Sequence, residues 1–423
     1  MLIGFSVTNF RSFHAQQSIN FISSSDDSLR QTHCFSTGFR AVPTLNRTAV
    51  MFGPNGSGKT NLFMALRSMR DLVLNSTVLT EEQYRDAFSP FGFDLTEGAA
   101  TEFEIDLLLD GDRYKYAFSY NARRITYERL TVYSGRKPQR WFERSFDAET
   151  QTENWAPFSV NVEGHREMWR KATRPRALFV TTAAQLDGEQ FVPLLRWFQT
   201  QLEFVLSSSD YFNISALTKR MRDSNFKSSI LSVLQKIKIP IADIRMIERG
   251  DSGDGKQRSA PQSIESMDRD GAAGSDASSA VEVSYARPST TPVWVNLANE
   301  GAGVRRLFFL LGSLLDTMHN SKLAVVDNFD AALHPLVSRF LLQLNSLKGG
   351  VRHTAQLLLS SHNISLMDLE ILRRDEIWLM DTDSERASRL SSMAKHHLRR
   401  REMIAKHYLR GRYGGVPRID AVE

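Results

Sequence analysis

Gly53-Pro54-Asn55-Gly56-Ser57-Gly58-Lys59-Thr60 constrains this chain more than any other stretch, because it fits G-x-x-x-x-G-K-[ST] in a telling context. An apolar run, Thr48 to Phe52, leads into it, and a helix-like stretch, Lys59 to Leu74, leaves it with Leu62, Leu66 and Met69 on one face. Strand, loop and helix follow in that order. The glycines let backbone N–H groups turn inward around phosphate oxygens at a helix N-terminus. Lys59 is then expected to reach the outer phosphates, and the Thr60 hydroxyl to ligate magnesium.

Such a site needs a carboxylate at the end of a neighbouring buried strand to hold the metal, partly through water. Leu323-Ala324-Val325-Val326-Asp327 supplies one, although an aspartate also suits a plain turn after a strand. Leu357 to Ser361 ends another apolar run at His362, placed to sense the terminal phosphate or hold an attacking water. A lone histidine is more often structural; its place after a buried strand favours function here.

Around this centre the hydrophobic pattern changes several times. Leu2 to Thr8 reads as a strand, and Thr101 to Tyr120 as an antiparallel hairpin turning at Asp110-Gly111, extended by Ile125 to Ser134 and Arg140 to Phe146. After Pro175 the spacing is mostly helical, including Phe191 to Phe204 and Leu217 to Ile237. Residues 251–280 are rich in Ser, Gly, Ala and Asp and read as a linker. Strands follow at Val281 to Tyr285 and Val293 to Leu297, then a helix with one buried stripe from Val304 to Met318. The expected organisation is a first lobe over 1–174, a helical accessory region over 175–250, the linker, a second lobe over 281–390 and a basic segment over 391–423.

Composition narrows the class. With 41% hydrophobic and 24% charged residues over 423 positions, disorder throughout is excluded. Cys34 is the only cysteine, which excludes a disulfide scaffold and a thiolate zinc cluster. The longest apolar stretch, Leu307 to Leu315, falls short of the roughly 20 residues a membrane-spanning helix needs. Met1 to Phe10 lacks the marks of a secretory signal. A cytoplasmic protein without membrane contact is expected. The net charge of +5 is uneven: Lys395 to Arg418 carries eight Lys/Arg against Glu402 alone. That tail suits nucleic acid or an acidic partner, and equally a solvated helix face.

With these residues in view, the chain resembles an ABC-type ATPase of the kind shared by chromosome-maintenance (SMC) and double-strand-break-repair ATPases and the overcoming-lysogenisation-defect proteins. Within that group it is similar to the stand-alone ATPases of bacterial anti-phage and abortive-infection systems, such as the PARIS and Septu ATPase subunits. The resemblance rests on Val7-Thr8-Asn9-Phe10-Arg11-Ser12-Phe13, on Lys59-Thr60-Asn61, and on Asn299-Glu300-Gly301 ahead of Arg305-Arg306-Leu307. It continues through Asp327, Asp330-Ala331-Ala332-Leu333-His334-Pro335, Ser361-His362, Arg373 to Trp378, and the ending Tyr408 to Gly414.

The resemblance implies an α/β P-loop NTPase: an ABC-type ATPase head with a mixed core sheet, an antiparallel β-lobe and a helical accessory region. It implies ATP and Mg²⁺ as cofactors. Asn55, Gly56, Ser57, Gly58, Lys59, Thr60 and Asn61 would bind nucleotide, Arg11 and Ser12 would lie along it, and Thr60 and Asp327 would hold the metal. In such heads two copies close face to face, so Asn299, Glu300 and Gly301 of one copy would meet the γ-phosphate bound by the other. Asn299 would equally serve as a helix cap.

Two positions depart from the family pattern. Asn328 stands where a glutamate normally polarises the attacking water, and losing a general base costs about 10²- to 10⁴-fold. Asp330 is a conceivable substitute. Asn299 stands where serine is usual. The implied function is an ATPase subunit of an anti-phage or abortive-infection system, acting as a homodimer or higher oligomer that controls a separate effector such as a nuclease or toxin. The alternative is an SMC-like clamp for DNA repair or chromosome organisation. A third reading, that the chain itself cuts nucleic acid, would use Asp381 and Asp383, which suit a surface turn better.

Overall fold

The computed structural model describes residues 1–93, 99–134, 137–206, 220–248, 279–285, 292–346, 353–396 and 403–417. The linker expected at 251–280 lies outside these but for its last two residues, which belong to a strand; much of the basic tail, including His397 and Arg399 to Glu402, also lies outside. Along the chain the first strands are β1 (Leu2–Thr8), β2 (Gln17–Asn20), β3 (Cys34–Ser36), β4 (Thr44–Asn46) and β5 (Thr48–Phe52). Next come β6 (Thr101–Leu109), β7 (Asp112–Tyr120), β8 (Ile125–Ser134), β9 (Lys137–Asp147), β10 (Thr152–Trp155) and β11 (Leu202–Val205). The later strands are β12 (Ile241–Glu248), β13 (Ser279–Tyr285), β14 (Trp294–Asn296), β15 (Leu323–Val326), β16 (Gln356–Ser360), β17 (Ile377–Thr382) and β18 (Ser388–Ser392).

Two compact units result. The first comprises Met1–Ser208, Asp316–Asp330 and His334–Glu423, and holds two large sheets. One is antiparallel, in the order β10-β9-β8-β7-β6-β1-β2. Its central hairpin alternates because one face is buried, and it turns at Asp110 (φ 49°) and Gly111 (φ 90°), the left-handed pair that matches strand twist. The other sheet, β11-β15-β16-β5-β17-β18, is parallel except for β18. Every residue of β5, β15 and β16 is buried, which is why these strands read as continuous apolar runs rather than alternating ones. A single apolar core gathers both sheets and the helix Lys59–Asn75, through residues such as Ile105, Tyr116, Leu66, Met69, Val325 and Leu358.

Strand β11 departs from the sequence expectation. The spacing from Phe191 to Phe204 predicts one helix, but that helix ends in a wide turn over Trp197–Gln201, and Leu202–Val205 then pairs in parallel with Leu323–Val326. The open edge of the core sheet outweighs local helical spacing there. The motif Arg373 to Trp378 serves as a tie. The Arg373 guanidinium binds Asp375 at 3.0 Å and the carbonyls of Asp26 and Ser28, while Glu376 accepts from His33 at 2.8 Å.

The second unit, Ser209–Leu315 with Ala331–Leu333, contains the antiparallel sheet β12-β13-β14. A helix over Ser224–Lys236 covers part of the stretch expected to be helical from Leu217 to Ile237; the Asp223 side chain caps it through Asn225 N at 2.9 Å. Ile241–Glu248, inside the span read as helical, is a strand paired with β13. The helix Ala302–Asn320 begins in this unit.

Candidate functional site

In the core sheet β16 lies between β15 and β5, so the ends of three parallel strands present Asp327, Ser360-Ser361-His362 and the Gly53–Thr60 loop side by side. Ligands of open α/β sheets bind at such carboxyl ends. The loop is built by left-handed glycines, Gly56 at φ 77° and Gly58 at φ 102°. Any side chain at Gly58 would collide with the Ser388 hydroxyl, and one at Gly53 would overlap the Met380 carbonyl. Leu62 N already bonds to Gly58 O, so the helix starts directly behind the loop with its first N–H groups facing the cradle.

The side chains converge. Thr60 Oγ1 donates to Asp327 Oδ2 at 2.8 Å, and Ser360 Oγ donates to Asp327 Oδ1 at 2.5 Å. Asp327 is 1% exposed. Lys59 Nζ lies 2.8 Å from the carbonyls of Gly53 and Pro54. Burial pushes its pKa down to about 8, with Asp327 and Asp330 pulling the other way. His362 is held below its usual range by partial desolvation and the Lys59 charge, against Asp330 and Asp327, so it is a neutral imidazole at neutral pH. Its backbone N–H donates to Asp330 Oδ1 at 3.3 Å, which brings Asp330 to the same edge.

Asn328 has a backbone reason for its identity. It sits at φ 47°, a left-handed conformation that asparagine tolerates better than most residues. Its N–H lies 2.8 Å from Ser360 Oγ and 3.1 Å from Asp327 Oδ1. Ser12 and Asn61 also meet: Asn61 Nδ2 donates to Ser12 Oγ at 2.8 Å, and Ser388 Oγ to the same atom at 2.7 Å. Arg11 is exposed at φ 50°, its N–H bonded to Ser89 O at 2.8 Å.

The residues present fit a magnesium triphosphate. Asn55 and Gly56 are exposed at the loop's tip, Ser57 Oγ is buried without a protein hydrogen-bond partner, and Thr60 with Asp327 forms an oxygen donor pair of the kind Mg²⁺ takes. Sequence reasoning missed Ser360 and Ser388. Their only sequence signal is a hydroxyl at a strand end, which is too common to select.

Three expectations find different outcomes. Asn299 does not cap the helix, which begins at Ala302; Gly301 O accepts from Arg305 N at 3.1 Å, and Asn296, which accepts from Ala298 N at 2.9 Å, caps only the short turn Leu297–Asn299. Asn299 is exposed, and Glu300 takes a hydrogen bond from Tyr285. Both belong with Gly301 to the second unit. Asp381 and Asp383 are both engaged: Asp381, near the end of β17, accepts from Thr382 N and Gly415 N, and Asp383, in the turn after it, from Glu385 N, Ala387 N and Arg389. No group of three or more His, Cys, Asp or Glu suited to a metal occurs among the described residues. No helix among them is long and apolar enough to cross a membrane.

Comparison with known families matches residues 49–368 to the family described as "AAA domain, putative AbiEii toxin, Type IV TA system". Among solved structures the chain is similar to the SMC head domain from Thermotoga maritima, at 12% identity and a TM-score of 0.41, covering 92% of this chain and 98% of that one. It is similar to an SMC head bound to the C-winged helix domain of ScpA, at 12% identity and a TM-score of 0.47, covering 93% and 99%. A third likeness is to the Smc head domain with an extended coiled coil bound to the C-terminal domain of ScpA derived from Pyrococcus furiosus, at 11% and 0.41, covering 93% and 97%. No curated protein matches.

Proposed function

Because the chain belongs to that AAA-domain family of P-loop ATPases, we propose that it is a nucleotide-operated subunit of an anti-phage or abortive-infection system, in which Mg·ATP joins two copies and the joined state controls a separate effector. The observation that carries the nucleotide reading is the 2.8 Å contact between Thr60 and Asp327 at the mouth of the glycine loop. The defence role is supported by the family's description and by the motifs shared with the phage-defence ATPases.

Thr60 and Asp327 would hold Mg²⁺, which would supply charge neutralisation at the phosphates. The chain's own residues do the rest. Backbone N–H groups from Gly56 to Thr60 cradle phosphate, the Lys59 ammonium adds charge, and Ser360 fixes the rotamer of Asp327 through Oδ1 while leaving Oδ2 toward Thr60. Neutral His362 offers a nitrogen to the terminal phosphate or to a water beside it. Asn328 can orient that water but cannot take its proton, so turnover is slow and ATP acts chiefly as a clamp. Asn299, Glu300 and Gly301 would complete the partner copy's pocket from outside, in keeping with the exposure of Asn299 and Gly301.

Sedimentation of the purified chain tests this reading. Mg·ATP is expected to shift wild type from monomer to dimer and to leave Lys59→Ala monomeric. A protein that stays monomeric with saturating Mg·ATP would overturn the clamp, and nuclease activity of the lone chain that survives Lys59→Ala would overturn the separate effector.

A further inference from the structure

The ending Tyr408 to Gly414 plays no part in the site as described so far, yet it packs beside the glycine loop. A short helix, Ile404–Leu409, runs into a turn built on three left-handed glycines, Gly411 (φ 74°), Gly414 (φ 75°) and Gly415 (φ 68°). Asp381 Oδ2, at the end of β17, accepts from Gly415 N at 2.9 Å, and the buried Tyr408 hydroxyl donates to Gly415 O. A Cβ on Gly414 would come within 3.1 Å of Asp381 Oδ2, so the turn is seated tightly on that carboxylate.

The same piece of β17 supports the loop. The Met380 carbonyl is approached both by Gly53, where any Cβ would overlap it, and by Gly415, whose Cβ would lie 3.3 Å away. Tyr408, Leu409, Val416 and Pro417 face Pro54, Asn55 and His362 across a pocket of about 480 Å³. A phosphate cradle of backbone N–H groups works only if held to about 0.5 Å. The position of Gly53 is set against Met380, and Met380 is set against the C-terminal turn.

We propose that residues 410–417 are a positioning element for the glycine loop, anchored by Asp381 and acting through the Met380 carbonyl, so that nucleotide binding and docking of this turn are coupled. The inference rests on the nucleotide reading of Gly53 to Thr60. Coupling is reciprocal. Whatever factor the docked turn contributes to nucleotide affinity, bound nucleotide returns to the protection of the turn. The exposed Leu409 and Arg410 then sit on a surface whose order reports the state of the site.

The test uses the full-length chain, a fluorescent ATP analogue with Mg²⁺, and hydrogen exchange over 404–417. Asp381→Ala removes the anchor and is expected to weaken nucleotide binding about tenfold. Asp381→Asn, which keeps one acceptor oxygen, should fall between it and wild type, and Tyr408→Phe, the mildest change, should weaken binding a few-fold. In wild type, saturating Mg·ATP should slow exchange in the turn by a factor like that lost in Asp381→Ala; Lys59→Ala should show no such protection. An Asp381→Ala protein whose turn exchanges faster but which binds nucleotide like wild type would overturn the coupling. A turn that keeps its protection in Asp381→Ala would overturn the anchor. Failure of the unmutated chain to bind Mg·ATP would sink the reading of the site itself, and it is told apart because it needs no variant.

Discussion

The Thr60 hydroxyl donates to Asp327 Oδ2 at 2.8 Å across 267 residues of sequence, and the other oxygen of that carboxylate is taken by Ser360 at 2.5 Å. One strand end thus aims the carboxylate of another, the one proposed to hold the metal. Loss of such a supporting bond typically costs about 10- to 100-fold in metal affinity. Ser360→Ala is expected to raise the Mg²⁺ concentration needed for half-maximal ATP binding by that range, read from titrations at fixed ATP. An unchanged Mg²⁺ requirement would show that Ser360 does not aim Asp327.

Lys59 gives the site a pH dependence with a definite sign. In the proposed site its ammonium is the phosphate-binding form, and burial brings its pKa down to about 8. As pH rises from 7 through 8 to 9 the free protein loses that charge, so ATP affinity should fall, approaching about tenfold per pH unit above the pKa. Binding near pH 8.5 should take up a proton, visible by calorimetry in buffers of different ionisation enthalpy. Affinity that rises over this range would contradict the assignment.

Asn328→Glu sets chemistry against backbone strain. In the proposed mechanism a carboxylate at this position supplies a proton acceptor, and turnover should rise by about 10²- to 10⁴-fold, the range that general bases supply. The left-handed backbone at φ 47° disfavours glutamate, and a cost of about 1 kcal/mol should lower the melting temperature by a few degrees. Steady-state hydrolysis and a thermal melt on one preparation check both halves.

The places of the glycine loop, Asp327 and His362 at strand ends are legible from sequence because each follows a buried strand that is mostly apolar rather than alternating. The antiparallel hairpin is legible from its alternation and from Asp110-Gly111. Strand β11 is not, since Leu202 to Val205 acquires its conformation from the edge of β15 rather than from its own spacing. Ser360 and Ser388 are hidden for a related reason: their partners lie 33 and 376 residues away. Asn299 is not the cap of the helix that starts at Ala302, because it closes a short turn over Leu297–Asn299 whose own cap is Asn296.

Stability should depend on one buried ion pair far more than on its exposed neighbour. Arg144 and Glu128 are 2% and 0% exposed and meet at 2.7 Å, and Glu128 also accepts from Tyr116 and from the N–H groups of Phe179 and Val180. Arg144→Ala strands that carboxylate and should cost about 3–5 kcal/mol. Arg140→Ala, which breaks a solvent-exposed pair with Glu143, should cost under about 1 kcal/mol. Urea unfolding of both variants measures the contrast, and equal losses would contradict it.

Thr60 and Asp327 are proposed to hold Mg²⁺ on a triphosphate seated in the glycine loop. Calorimetric titration of ATP into wild type and Asp327→Asn, each with Mg²⁺ and with EDTA, tests it most directly. Mg²⁺ is expected to tighten binding to wild type at least about tenfold, and Asp327→Asn to lose most of this gain. Equal affinity in all four titrations, or no binding by wild type, would contradict it.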